Sequence, residues 1–346
     1  MDGVRGMAAF AVALGHLLDT QASGWLHEIL IYSDFPIVNL LWNGSAAVAL
    51  FFVLSGYVLT LGMQKVNCAN QRWLLGYLIG RVSRIALPFW GAMLLSWCLI
   101  EIFCDFQVLQ NISSQWLSHM WFNGDGLYEQ LWKQVALILP GTEHRLIPQG
   151  WTLTVELQVS LLLPFIFLGM SKRMVLTVVV TLVLGVLLHQ TFVFHFLMGM
   201  LLGVYGLRIT IFLQALLEYQ KWLLFLSGLL LLSSTWQPAG KLGEVLFWLL
   251  NGTGAVVMIA VGSELKGVVY FFKSRPLSFL GKISYSFYLT HTLIYLTFLA
   301  YLSPLFSPTV VILVLMLLAL LTASMFHFAV EIPSIHIGKY FRRKIV

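Results

Sequence analysis

The feature that most constrains this chain is a succession of long apolar segments. A run of about 20 apolar residues matches the roughly 30 Å hydrocarbon core of a bilayer. Ten such spans are expected, at about 5–21, 44–62, 85–104, 151–169, 174–189, 191–208, 221–237, 244–262, 281–302 and 309–330. Hydrophobic residues make up 59% of the 346 and charged residues 10%, where a soluble domain carries about 25% charge. Inside lipid every backbone N–H and C=O must find a partner in the protein, and continuous rather than alternating apolar runs select helices over a barrel. The expected fold is all-α and polytopic. It is expected to form a single membrane-embedded domain over 1–346, with no additional soluble domain.

The basic residues give an orientation. With the N-terminus in the cytoplasm, 17 of the 20 Lys and Arg residues fall in cytoplasmic segments and 3 on the opposite side. That bias follows the positive-inside rule, and it predicts an even number of spans with both termini cytoplasmic. The expected location is the inner, cytoplasmic membrane. The basic residues lie in short loops without a basic helix or an RNA-binding motif, so nucleic acid is excluded as a partner. Cys68, Cys98 and Cys104 lack metal-site spacing, and no metal or permanently bound cofactor is expected. Arg5 and the apolar run after it could be read as a signal peptide, but His16 interrupts that run, and the segment reads as a retained first helix. Residues 105–150 form the one long connection, extracytoplasmic in this orientation, with Trp116, His119, Trp121, Phe122 and Trp132. Aromatics there suit either an interfacial belt or stacking on sugar rings.

Against this apolar background the polar residues stand out. Arg5 and His16 are eleven residues apart. At about 100° and 1.5 Å per residue they share a helix face, with His16 about 16 Å deeper than Arg5. An ionisable group near the midplane is costly and marks a functional site. Arg81 and Arg84, with Arg72 nearby, precede Pro88 and offer forked donors suited to phosphate. Ser55 and Gly56 favour close helix packing. Glu156 enters from the outer side in Gly150-Trp151-Thr152-Leu153-Thr154-Val155-Glu156, with Thr152 one turn away. His291 reaches the midplane from the inner side, with Ser284 and Tyr288 on its face. Glu331 closes the last span, where it would neutralise an arginine. Gly199 and Gly203 form a small-xxx-small packing pair.

Taken together in chain order, these residues resemble the acyltransferase 3 family of integral membrane O-acyltransferases. The segments that carry the likeness are Asp2-Gly3-Val4-Arg5-Gly6 with the arginine-to-histidine spacing to His16, Phe51 to Tyr57, and Arg81 to Pro88. Trp151 to Glu156 with Pro164, Gly281 to His291, and Glu331-Ile332-Pro333 follow. The resemblance implies a ten-helix core that moves an acyl group, most commonly acetyl, from cytoplasmic acyl-CoA to a hydroxyl. The acceptor it implies is an extracytoplasmic glycan or a lipid-linked saccharide of the cell envelope. It implies a catalytic role for His16 and acyl-CoA-binding or active-site roles for Arg5, Arg81, Arg84 and Glu156. On the residue reading Glu156 joins His16 as catalytic, Arg5, Arg81 and Arg84 bind acyl-CoA, and Ser55, Tyr288 and His291 are expected to line the site. The chain departs from the family in lacking a basic stretch before Asp2 and in carrying Thr290 where Trp is frequent. The rival reading is a transporter or flippase of a glycan intermediate, since midplane His and Glu also mark substrate and proton paths.

Overall fold

The structure is a computed structural model that describes residues 1–20, 36–66, 68, 70–103, 121, 134–135, 146–187, 192–234 and 239–345. Among these residues the regular structure is helical throughout: α1 (Asp2–Leu18), α2 (Pro36–Asn39), α3 (Gly44–Met63), α4 (Gln71–Phe103), α5 (Gly150–Leu187), α6 (Val193–Gln214), α7 (Glu218–Leu232), α8 (Gly240–Gly262), α9 (Lys266–Phe272), α10 (Arg275–Leu302), α11 (Pro308–Phe326), a π-helical turn (His327–Glu331) and α12 (Ile332–Ile345). Among the described residues, six stretches of helix are long and apolar enough to cross a membrane by length and composition. The chain is an all-α, multi-pass membrane protein.

Two boundaries differ from the sequence expectation. The spans expected at 151–169 and 174–189 lie within one helical stretch, α5, broken at Arg173 (φ −144°, ψ 67°). The break falls where Lys172 and Arg173 interrupt the apolar run. Helix α4 starts at Gln71 rather than near 85. Its first turns mix Arg72, Arg81 and Arg84 with apolar residues, so a hydropathy window misses helix that the backbone forms.

The chain divides into two compact units. One comprises Met1–Ala8, Asp34–Leu74 and Val159–Gly281. In it α6 packs on α3 and α8, and α7 packs on α8. Glycine makes the first contact possible. A side chain at Gly56 would collide with the Phe196 carbonyl, and one at Gly199 with the Val53 carbonyl. A Cβ on Gly203 would meet Thr60 Cγ2 at 2.9 Å, so the Gly199/Gly203 pair is a packing surface. The Asp2-Gly3-Val4-Arg5-Gly6 segment works the same way. Gly3 abuts the Phe272 carbonyl, and Gly281 abuts the Asp2 carbonyl.

The second unit comprises Ala9–Ser33, Leu75–Gln158 and Lys282–Val346. Its core includes Phe89, Phe287 and Tyr295, each essentially inaccessible to solvent. Gly91 lets α4 approach Val330 and Phe326. The segment before α5 is anchored at Leu146, whose carbonyl accepts from Ser96 Oγ (2.7 Å) and Trp121 Nε1 (3.3 Å). Trp121 is fully buried. That side chain is therefore core and is withdrawn from sugar stacking. Trp116, His119, Phe122 and Trp132 lie outside the described residues.

Candidate active site

The second unit brings His16 and His291 together. His16 sits two residues before the end of α1 and is half-buried, while His291 on α10 is fully buried. Their rings are nearly parallel, 11° apart, with centroids 5.5 Å apart. The Nδ1 atom of His291 lies 2.9 Å from the carbonyl of Phe287. A carbonyl can only accept, so Nδ1 carries the hydrogen, and Nε2 of the neutral ring keeps its lone pair. That Nε2 is buried and has no hydrogen-bond partner among the described residues. A buried basic nitrogen with its tautomer fixed and its acceptor face open is suited to receive a proton from a bound hydroxyl.

A polar network holds this histidine in register. Gln149 is buried just before α5. Its Nε2 donates to the carbonyls of Tyr288 (2.6 Å) and Leu289 (3.0 Å), and its Oε1 accepts from Thr292 Oγ1 (2.8 Å). Thr152 Oγ1 donates its single hydrogen to the Gln149 carbonyl (2.9 Å), so at 2.7 Å it must accept from the Tyr288 hydroxyl. The two contacts clamp α5 to the turn of α10 that carries His291. One turn earlier, the Tyr285 hydroxyl donates to the Ile85 carbonyl of α4 (2.8 Å).

The carboxylate and the arginines are arranged differently from the expectation. Sequence reasoning puts Arg81 at the inner rim and Glu156 nearer the outer one. In the structure Arg81 Nη2 and Glu156 Oε1 are 3.1 Å apart, with side chains 12% and 20% exposed. The early start of α4 accounts for this, because Arg81 is well inside the helix, about 15 Å along it. Arg81 Nε is buried without a hydrogen-bond partner among the described residues. Arg84, one turn on, is exposed. Glu331, expected to meet an arginine, instead accepts from Ser286 Oγ at 2.6 Å and pairs with His327 Nδ1 at 2.8 Å. The π-helical turn His327–Glu331 pairs the two residues and presents Glu331 to α10.

Arg5 and Ser55 belong to the other compact unit, on α1 and α3 respectively, and both are half-buried. Among the described residues there is no group of three or more His, Cys, Asp or Glu able to hold a metal ion. Sequence reasoning did not single out Gln149, Ser286 or His327. The four-residue spacing of His327 and Glu331 on a helix was a usable signal; for Gln149 the sequence offers none.

The family model described as an acyltransferase domain, acyltransferase 3, matches residues 1–328. The chain belongs to the acyltransferase 3 family. It is thus a membrane acyltransferase. The match takes in His16, Ser55, the arginines, Glu156, Tyr288 and His291, and it ends three residues short of Glu331, so the Glu331-Ile332-Pro333 segment falls outside it. No curated protein and no solved structure matches the chain.

Proposed function

We propose that this enzyme transfers an acyl group, acetyl in the simplest case, from cytoplasmic acyl-CoA to a hydroxyl of a glycan or lipid-linked saccharide across the cytoplasmic membrane. The observation that carries the reading is the parallel His16/His291 pair, with His291 held through Nδ1 and its Nε2 without a hydrogen-bond partner among the described residues. An acceptor hydroxyl gives its proton to an imidazole nitrogen as its oxygen attacks the thioester carbonyl. The tetrahedral adduct collapses, the C–S bond breaks, and the proton passes to the departing thiolate. The products are the ester and free CoA. If His16 first carries the acyl group, the same proton leaves the hydroxyl in the second half-reaction, with His291 as its acceptor.

Arg84, exposed one turn from the Arg81–Glu156 pair, suits the CoA phosphates. Arg81 keeps Nε as a further donor and holds the Glu156 carboxylate in place. Tyr288, tied to Thr152, stands beside His291. Glu156 is assigned to the acceptor side.

The test is ligand-induced thermal stabilisation of the purified protein in nanodiscs with acetyl-CoA, longer acyl-CoAs and free CoA. Donor at 100 times its Kd stabilises by about 2.7 kcal/mol. A shift with CoA species that weakens in Arg84→Ala supports the donor site. A folded protein that shows no shift with any CoA species refutes it and returns weight to substrate translocation. Acyl transfer by a folded His16→Ala protein at the wild-type rate removes His16 from the mechanism.

A further inference from the structure

Helix α12 has a feature that acyl transfer does not use. Its sequence, Ile-Pro-Ser-Ile-His-Ile-Gly-Lys-Tyr-Phe-Arg-Arg-Lys-Ile, contains no acidic residue. At about 100° per residue its side chains sort into three sectors. Ile337, Tyr340 and Phe341 share one arc and are 45%, 54% and 50% exposed. Lys339, Arg342 and Arg343 share the opposite arc, all exposed. The third sector holds the buried Ser334 and Gly338 and packs on α4. Lys344 lies over the Tyr340 ring at 4.6 Å, with its stem along apolar surface and its ammonium at the edge. Exposed apolar side chains opposite an arc whose exposed charges are all cationic, directly after a membrane-length helix, fit an interface of acyl chains and anionic headgroups.

The buried sector gives this surface a consequence. A Cβ on Gly338 would collide with Ser83 Oγ. Ser83 lies between Arg81 and Arg84, and its hydroxyl is bound to the Ile79 carbonyl at 2.5 Å. Whatever fixes α12 therefore bears on the helix turn that presents both arginines.

We propose that α12 docks on anionic phospholipid, with Ile337, Tyr340 and Phe341 among the acyl chains and Lys339, Arg342 and Arg343 on the headgroups, and that this docking braces the Arg81–Arg84 turn through Gly338 and Ser83. The proposal does not depend on acyl-CoA being the donor.

Hydrogen exchange of the full chain tests it, in nanodiscs of phosphatidylcholine alone and with phosphatidylglycerol added. Each basic side chain near an anionic surface favours docking about fivefold, so three together favour it roughly a hundredfold. Amides of 337–345 should exchange about tenfold or more slowly in the anionic discs, while α11 amides stay the same in both. Lys339→Gln/Arg342→Gln/Arg343→Gln should abolish the difference, as should high salt. Equal exchange in the two discs overturns the proposal, and so does a difference that survives the triple substitution. Equivalent protection by free CoA in phosphatidylcholine discs would assign the cationic arc to the donor and overturn it too. Gly338→Val should leave the lipid-dependent protection in place while raising exchange around Ser83. Unchanged exchange there would remove the bracing role.

Discussion

Cutting the Arg81–Glu156 pair should show how the interior of the second unit bears charge. The partners are 3.1 Å apart and mostly buried, at 12% and 20% exposure. At an effective dielectric of about 20, unit charges that close attract by about 5 kcal/mol, most of which offsets the loss of hydration. The net pair is therefore worth little, whereas either partner left alone is expensive. Glu156→Leu strands a guanidinium that cannot shed its proton and whose Nε already lacks a hydrogen bond. It should cost about 3–5 kcal/mol, and Arg81→Leu a similar amount. The double variant should be close to the milder single one, which gives a coupling equal to the costlier single, about 3–5 kcal/mol. Arg84→Leu, at an exposed position, should stay within about 0.5 kcal/mol of wild type. The assay is detergent-driven unfolding followed by tryptophan fluorescence, with all four members of the cycle at one protein concentration. Additivity within about 0.5 kcal/mol would refute the claim that the two side chains compensate each other.

Two further substitutions probe the histidine and its support. His291→Gln should lower the rate of acyl transfer by about 10²–10⁴ without a comparable loss of stability, measured as initial rates beside unfolding midpoints; an undiminished rate would remove Nε2 from proton transfer. Gln149→Leu removes three hydrogen bonds and strands the Thr292 hydroxyl. It should cost about 3–5 kcal/mol in the same unfolding assay, and a cost under about 1 kcal/mol would show that α10 keeps its register without it.

Much of the fold is legible in the sequence because lipid imposes one rule, and long apolar runs can satisfy it only as helices. The same rule makes His16, Glu156 and His291 conspicuous, since each interrupts such a run. Pairings are less legible. Arg81 and Glu156 are 75 residues apart, and their contact depends on where α4 begins, a point that hydropathy hides because Arg72, Arg81 and Arg84 dilute the first turns. Glu331 looks like a partner for arginine by charge alone, yet the widened turn at His327–Glu331 delivers it to Ser286. Gln149 gives no warning at all. An uncharged amide scores as unremarkable wherever it occurs, and its value here comes from two carbonyls and a hydroxyl that the fold supplies.

The geometry of the two imidazoles constrains how a proton can move. Neither nitrogen of His291 is hydrogen-bonded to His16, since Nδ1 is held by Phe287 and Nε2 has no partner among the described residues. A proton cannot then pass from ring to ring directly, and a third group must carry it. Two positive charges at the 5.5 Å centroid separation would repel by about 3 kcal/mol at an effective dielectric of about 20. In the proposed transfer from a thioester to an alcohol, one proton leaves the hydroxyl and one reaches the thiolate. The Phe287 carbonyl fixes the hydrogen of the His291 ring on Nδ1, which in that proposal leaves Nε2 facing the acceptor.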